Sequence, residues 1–489
     1  MDATYQPLKI CLVASEVTPY AKTGGLADVA GALSRYLASA GHDVRLFLPL
    51  YDRIDTTKLD LQSVGFLRQI ELRMGPHTLT YSVFTLAQPD DPLGTYFIHC
   101  PALYHRGSIY GDGDDYLRFG FLSRVVIEIC QRMGWAPDVF HCNDWHTALL
   151  PLYLRYHYGW DRLFERTRTL LTIHNIGYQG TFSTSTLGEL DLASFTAQLY
   201  QEDLQQGRIN FLKTGLLYAD VLSTVSHTYA REIQTEEYGM GLHNLLQARR
   251  STLVGIVNGV DYGDWNPAAD PLIPHAYSAQ DLAGKLANKR HLLQSLGLPV
   301  DDRAPTFGVV SRLTAQKGFD LFFEVLPQLL RFRDVRLTLL GGGEPRYEQF
   351  FMELQARFPS KVCYYRGYSN ELAHLIEAGA DMFLMPSRYE PCGLNQMYSL
   401  RYGTPPIVRN TGGLADTVQL WNPHTGEGTG FVFDHYNADG LRWAIGYALD
   451  TYHHPEAWQQ LMRNGMAQDF SWEVQGQKYV ELYRRMATV

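Results

Sequence analysis

Three short segments carry residue types suited to holding an anion beside a polyol. Ala21-Lys22-Thr23-Gly24-Gly25 sets a lysine against paired glycines where an apolar run gives way to a helical pattern. Glycines at a strand-to-helix turn let backbone N–H groups approach an anion, and the helix dipole favours negative charge there. On this loop alone, an anion site and a tight turn with an exposed lysine read equally well. Ser311-Arg312-Leu313-Thr314-Ala315-Gln316-Lys317-Gly318 follows a second apolar run. There Arg312 and Lys317 could clamp a diphosphate through charge-assisted hydrogen bonds of about 1.5–3 kcal/mol each. A solvated surface pair is the competing reading. Pro386-Ser387-Arg388-Tyr389-Glu390-Pro391-Cys392-Gly393-Leu394-Asn395 follows a third run. Glu390 could grip sugar hydroxyls while the amides of Gly393 and Leu394 face a phosphate or hydroxyl. Complementing a helix dipole, worth about 0.3–1 kcal/mol, would also account for Glu390. Cys392 reads as a small packed hydrophobe rather than a nucleophile.

His141, Cys142, Asp144 and His146 invite a zinc reading. Adjacent strand residues point to opposite faces, so His141 and Cys142 cannot reach one metal together. Asp144 is better read as lining a cleft. His174-Asn175 ends another strand, where the imidazole could donate hydrogen bonds to a sugar or serve as a satisfied structural histidine. No G-x-G-x-x-G follows the first strand, and Gly341-Gly342-Gly343 is followed by Pro345, so a dinucleotide oxidoreductase is poorly supported. A Walker lysine motif is absent as well.

Short apolar runs alternate with helical spacing, which specifies α/β architecture with parallel sheets. Residues 8–14 and 43–50 read as strands around a helix over 25–40, a βαβ unit. Further strands are expected at 138–142, 169–174, 221–225, 306–311, 335–341, 362–367, 382–386 and 405–410. Residues 258–281 hold three prolines and no periodicity, which marks a linker. The tail from about 455 reads as helix throughout. TGGLAD occurs identically at 23–28 and 411–416, each time after a strand and opening a helix, which suggests two domains of similar design. In doubly wound domains, ligands bind at the carboxyl ends of the strands.

A chain of 489 residues exceeds what one core supports. Its 45% hydrophobic and 19% charged residues are ordinary for a soluble globular protein. With 42 basic and 51 acidic side chains, the net charge of -9 argues against a nucleic-acid polymer as partner. Cys11, Cys100, Cys130, Cys142, Cys363 and Cys392 show no paired spacing, which fits reduced thiols in a cytoplasm. The first residues lack the basic and apolar regions of a signal peptide, and no run of 18 apolar residues occurs, so neither export nor membrane insertion is expected.

Together these loops resemble the bacterial glycogen synthase and plant starch synthase family over essentially the whole chain. Lys22-Thr23-Gly24-Gly25-Leu26 is similar to its K-x-G-G-L signature. HCNDWHTALLP (141–151), IHNIGYQG (173–180), NGVD (258–261), SRLTAQKG (311–318), MPSRYEPCGLNQ (385–396), TGGLADTV (411–418), GTGFVF (428–433) and DFSW (469–472) follow in the family's order. The resemblance implies a GT-B fold of two doubly wound, Rossmann-like domains facing a central cleft. Residues 1–260 would form the acceptor side, 261–281 the linker and 282–468 the donor side. Residues 469–489 would form a helix returning to the first domain. It implies a retaining transfer of glucose from ADP-glucose to an α-1,4-glucan, with no metal or cofactor. Self-association is left open.

By the same likeness, Lys22, Arg312 and Lys317 bind the diphosphate, with Gly24, Gly25 and Asp28 in the same loop. Glu390 and the Cys392-Gly393-Leu394 turn hold the glucose, and His174 and Asp144 lie beside glucose and acceptor. Asn258 lines the sugar side, and Tyr368 matches the position that stacks on the base, a core tyrosine being its alternative. Asn143 stands where the family more often has His, Gly177 where Ala is common, and Tyr398 where broader relatives carry a second glutamate. A transferase with a small-sugar acceptor, and a glucan-binding or nucleotide-sensing protein without turnover, are the rival readings.

Overall fold

Four of the five residues of Lys9–Val13 are buried, as a strand covered on both faces requires. The computed structural model describes residues 6–86 and 91–488, which divide into two compact units. The first unit runs through Val225, takes up Ala230–Gly259 and closes with the helix Trp472–Ala487. The second comprises Ser226–Tyr229 and Val260–Ser471.

Strands of the first unit are β1 (Lys9–Val13), β2 (Asp43–Pro49), β3 (Leu61–Ser63), β4 (Ile70–Met74), β5 (His77–Leu86), β6 (Gly94–His99), β7 (Val139–Asn143), β8 (Arg168–Ile173), β9 (Thr181–Ser183), β10 (Arg208–Asn210), β11 (Val221–Thr224) and β12 (Leu253–Gly255). Ten of them form one sheet in the order β12-β11-β8-β7-β1-β2-β6-β5-β3, with β4 on β5. The run from β12 to β6 is parallel; β5 joins β6, β3 and β4 antiparallel. This antiparallel edge is absent from the sequence reading, because strands such as β4 alternate exposed and buried residues instead of forming continuous apolar runs.

The second unit adds β13 (Thr306–Val310), β14 (Arg336–Gly341), β15 (Val362–Arg366), β16 (Met382–Met385), β17 (Pro406–Arg409) and β18 (Phe431–Phe433). They form a wholly parallel sheet in the order β15-β14-β13-β16-β17-β18. Phe307, Leu337, Leu339 and Leu384 meet Phe322, Val325, Phe351 and Leu441 in its main core. Residues 261–281 pack onto this unit through aromatic anchors. Trp265 lies between His374 and Tyr398, at ring-centroid distances of 3.8 and 3.9 Å. Asp270 takes hydrogen bonds from the Tyr402 hydroxyl (2.6 Å) and the His374 ring (2.8 Å).

The tail is not one helix. Pro455–Met466 ends before a non-helical stretch in which Phe470 C=O accepts from Val260 N–H, and Trp472–Ala487 begins afterwards. That last helix packs on Gly25–Ser39 and on β7. Tyr483 hydroxyl lies 2.8 Å from His141 Nδ1, and His141 Nε2 lies 2.6 Å from Thr172 Oγ1. Burial lowers the His141 pKa to about 3, so the ring is a neutral link in this chain, with both of its nitrogens engaged. At Gly476 a Cβ would stand 2.2 Å from the Tyr36 ring. Gly476→Ala is therefore expected to cost about 1–3 kcal/mol through forced separation of the two helices. Scanning calorimetry would show it as a melting point several degrees lower; an unchanged value would mean that the contact is slack.

Candidate active site

Each sheet reverses its winding once. From β1 the chain moves to β2 on one side and later places β7 on the other; β13 stands likewise between β14 and β16. Open parallel sheets bind ligands beyond the strand carboxyl ends at such switch points. Glu16, Lys22, Gly24, Gly25 and Asp28 follow β1, and Asp144 follows β7. Arg312 and Lys317 follow β13, while Glu390, Cys392, Gly393 and Leu394 follow β16. His174, Asn258 and Tyr368 come after β8, β12 and β15. The candidates therefore cluster by topology within each unit, although they are scattered along the chain.

In the first unit, Lys22 Nζ lies 2.8 Å from Asp28 Oδ1, which also accepts from Thr18 Oγ1. The Lys22 side chain is 48% exposed, so this pair holds it loosely. Glu16, which the sequence reading did not single out, is buried beneath the same loop. Its carboxylate accepts from Thr23 N–H and from Thr23 Oγ1 at 2.7 Å. Burial pushes its pKa up against these hydrogen bonds. A carboxylate just after β1 and just before a lysine–glycine loop was the available signal.

Asp144 adopts φ 55°, a conformation that few non-glycine residues take, and turns its carboxylate inward. There it accepts from His174 N–H at 2.7 Å, and burial raises its pKa to about 7. His174 Nε2 lies 2.8 Å from Asn143 Oδ1, and Asn143 Nδ2 donates to Val13 C=O and His141 C=O. Because that amide nitrogen is occupied, its oxygen faces the ring, so His174 donates from Nε2 and presents Nδ1 as an acceptor. Burial lowers the His174 pKa to about 3 and keeps it neutral. Where the sequence suggested a donor to sugar, the structure gives an acceptor oriented by Asn143. Tyr110 completes the neighbourhood, with its hydroxyl 2.8 Å from Ser15 Oγ and its ring stacked on His146. Asn258 is buried, and its Oδ1 has no partner among the described residues.

In the second unit, Lys317 Nζ donates to Glu390 Oε2 at 2.7 Å, and Ser387 Oγ donates to the same oxygen at 2.8 Å. Both ends of this pair are largely buried. Arg312 is exposed and makes no ion pair among the described residues. Gln396 Nε2 donates to Cys392 C=O and Gly393 C=O, fixing the turn before Leu394. Tyr368 is 77% exposed, which excludes a core tyrosine; its hydroxyl donates to the nearby Asn370 Oδ1 at 3.3 Å.

The second TGGLAD copy braces this turn. Gly413 N–H donates to Glu390 C=O at 3.1 Å, and Gly412 has φ 45° with Glu390 O only 1.8 Å from where a Cβ would stand. The two copies then diverge. Asp28 binds Lys22 and Thr18, whereas Asp416 accepts from Thr228 N–H and its hydroxyl. Among the described residues no His, Cys, Asp and Glu cluster could hold a metal, and no helix is long and apolar enough to cross a membrane.

The starch synthase catalytic domain family matches residues 9–248, and the glycosyl transferases group 1 family matches residues 295–464. A glycogen synthase of Koribacter versatilis is 44% identical over 99% of both chains. One of Streptococcus gordonii is 42% identical over 98% of this chain and 100% of its own. The catalytic domain of Starch Synthase IV from Arabidopsis thaliana, bound to ADP and acarbose, superposes with a TM-score of 0.91 at 34% identity, covering 99% of this chain and 100% of that one. Sucrose-phosphate synthase from Thermosynechococcus elongatus shares the fold, with a TM-score of 0.60 at 19% identity over 98% of each chain. Full-length identity to glycogen synthases on a shared GT-B fold settles the relationship: the chain belongs to the glycogen synthase family of glycosyltransferases.

Proposed function

We propose that the chain transfers glucose from ADP-glucose to the non-reducing end of an α-1,4-glucan with retention of configuration, acting in the cytoplasm without metal or cofactor. The observation that carries this reading is the full-length likeness to a starch synthase bound to ADP, the leaving group of ADP-glucose. Arg312 and Lys317 serve the donor's diphosphate, as does Lys22 with the Gly24-Gly25 amides. Glu390 and the Cys392-Gly393-Leu394 turn hold the glucose, and His174 Nδ1 accepts from one of its hydroxyls. Asp28 steadies Lys22, Asp144 steadies the His174 backbone, and Asn258 offers its free carbonyl oxygen on the sugar side.

Retention through a covalent intermediate needs a carboxylate free to attack the anomeric carbon. Glu390 is engaged by Lys317 and Ser387, Asp144 by the His174 amide, and Glu16 by Thr23. Front-face substitution fits these constraints better. The C1–O bond to the departing phosphate breaks, the glucan 4-hydroxyl forms the new C1–O bond on the same face, and its proton passes to a phosphate oxygen. Cations already in place stabilise the charge growing on that phosphate.

Incorporation of labelled glucose into glycogen, from ADP-glucose and UDP-glucose offered separately, tests the proposal. Label in α-1,4 linkage from ADP-glucose supports it. Label only from UDP-glucose would reassign the donor, and none from either by folded protein would overturn the activity. Tyr368→Ala is expected to raise the KM for the nucleotide sugar about tenfold or more, the worth of one base stack. Its exposure predicts an unchanged melting temperature. An unaltered KM would remove Tyr368 from the base site.

A further inference from the structure

The chain leaves β11 through Ser226–Tyr229, which belong to the second unit although the residues on either side belong to the first. A short helix, His227–Glu232, begins there. Ser226 Oγ accepts from Tyr229 N–H at 3.1 Å, and Asp416 Oδ2 accepts from Thr228 N–H at 2.9 Å. Both bonds satisfy N–H groups that a first helical turn leaves unpaired, so a plain helix cap would account for them.

Two further bonds reach outward, and a cap has no use for them. Ser226 Oγ donates to Pro391 C=O at 2.6 Å, and Thr228 Oγ1 donates to Asp416 Oδ1 at 2.6 Å. Pro391 lies between Glu390 and the Cys392-Gly393-Leu394 turn, and its carbonyl also takes Gly413 N–H at 3.2 Å. Asp416 lies on the helix Gly412–Thr417, which presses on that same turn. A Cβ at Gly413 would stand 2.1 Å from Cys392 O, and Thr417 Oγ1 accepts from Gln396 Nε2 at 3.2 Å. The segment therefore grips the turn directly at Pro391 and its bracing helix at Asp416. Ser226 is fully buried, so no water competes for its bond to Pro391.

We infer that Ser226 and Thr228 are positioning residues for transfer, acting through Pro391 and Asp416 to hold the turn after Glu390 in the geometry that seats the donor's glucose. The inference rests on the glucose-holding role proposed above for that turn. It gives the repeated TGGLAD segment one logic. In each copy the aspartate accepts from a threonine hydroxyl, Thr18 or Thr228, and so fixes a loop that handles the donor. A misplaced glucose slows transfer, whereas ADP, which carries no glucose, meets the same diphosphate groups as before.

The test compares the full-length parent, Thr228→Val and Thr228→Ser by turnover on glycogen, by calorimetric binding of ADP and of ADP-glucose, and by melting. Thr228→Val keeps the shape and the N–H but loses the hydroxyl. It should lower kcat at least tenfold and up to about 10²-fold, the cost of a misplacement of about 1 Å. It should also weaken ADP-glucose, while the Kd for ADP stays within about twofold, as for an independent site. Thr228→Ser should keep most of the turnover, because its hydroxyl still reaches Asp416. Asp416→Asn probes the same contact from the other side. It should show the same split between the two ligands, which keeps the inference decidable if Thr228→Val does not fold. Turnover of folded Thr228→Val within about twofold of the parent overturns the inference and leaves the segment a helix cap. Equal losses of affinity for ADP and ADP-glucose overturn it as well, as does a Thr228→Ser protein as slow as Thr228→Val. A parent that transfers while Thr228→Val matches it leaves the glucose reading standing alone. A parent that transfers no glucose overturns that reading and this inference together.

Discussion

Arg312→Ala is expected to lower kcat by about 10²–10³-fold, the loss that follows removal of one preorganised donor to a developing anion. The melting temperature stays within about one degree of the parent, because substitutions at unengaged surface positions cost under about 0.5 kcal/mol. Arg312 is exposed and has no ion pair among the described residues, so no folded-state ion pair goes with it. A residue kept for stability would show the reverse. Lys22→Ala is the informative companion: its bond to Asp28 is exposed and worth about 0–1 kcal/mol, so a loss of turnover there cannot be charged to unfolding. Steady-state kinetics paired with calorimetry decides the matter. Equal melting losses with unchanged turnover would sink the phosphate assignment for either residue.

Most of the parallel strands were legible because burial on both faces leaves continuous apolar runs, as in β1, β2, β13 and β14, whereas the three-residue β12 and β18 are too short to show one. The β3–β6 edge was not, since strands with one wet face dilute that signal. Candidate positions could be read from glycine loops and charges at strand ends, but partnerships could not. Lys317 and Glu390 are 73 positions apart, and Asn143 and His174 are 31 apart. Only the adjacency of β13 with β16, and of β7 with β8, brings them together. That adjacency is a property of strand order, which no local spacing encodes. It also explains why Asn143, noted only as a departure from the family's usual residue, proves to set the tautomer of His174.

Lys317 and Glu390 allow stability and catalysis to be separated. Lys317→Met leaves the Glu390 carboxylate buried with Ser387 Oγ as its remaining partner, a loss of about 3–5 kcal/mol. Glu390→Gln costs less, because the side chain left uncompensated, Lys317, is the more exposed member at 19%. Combining the two removes both charges, and most of the stability lost in Lys317→Met should return, with a coupling of about 0.5–3 kcal/mol. Turnover should not return. The ammonium has three donors and Glu390 takes one, so the others remain for phosphate oxygens. If Lys317 serves the diphosphate directly, the double variant stays about 10²–10³-fold below Glu390→Gln in kcat despite its recovered fold. If Lys317 matters only by neutralising Glu390, the double variant should reach the turnover of Glu390→Gln itself as its stability returns. A Lys317→Met protein as stable as the parent would instead show that the pair is already well solvated, and its kinetic loss could then be read without the second substitution.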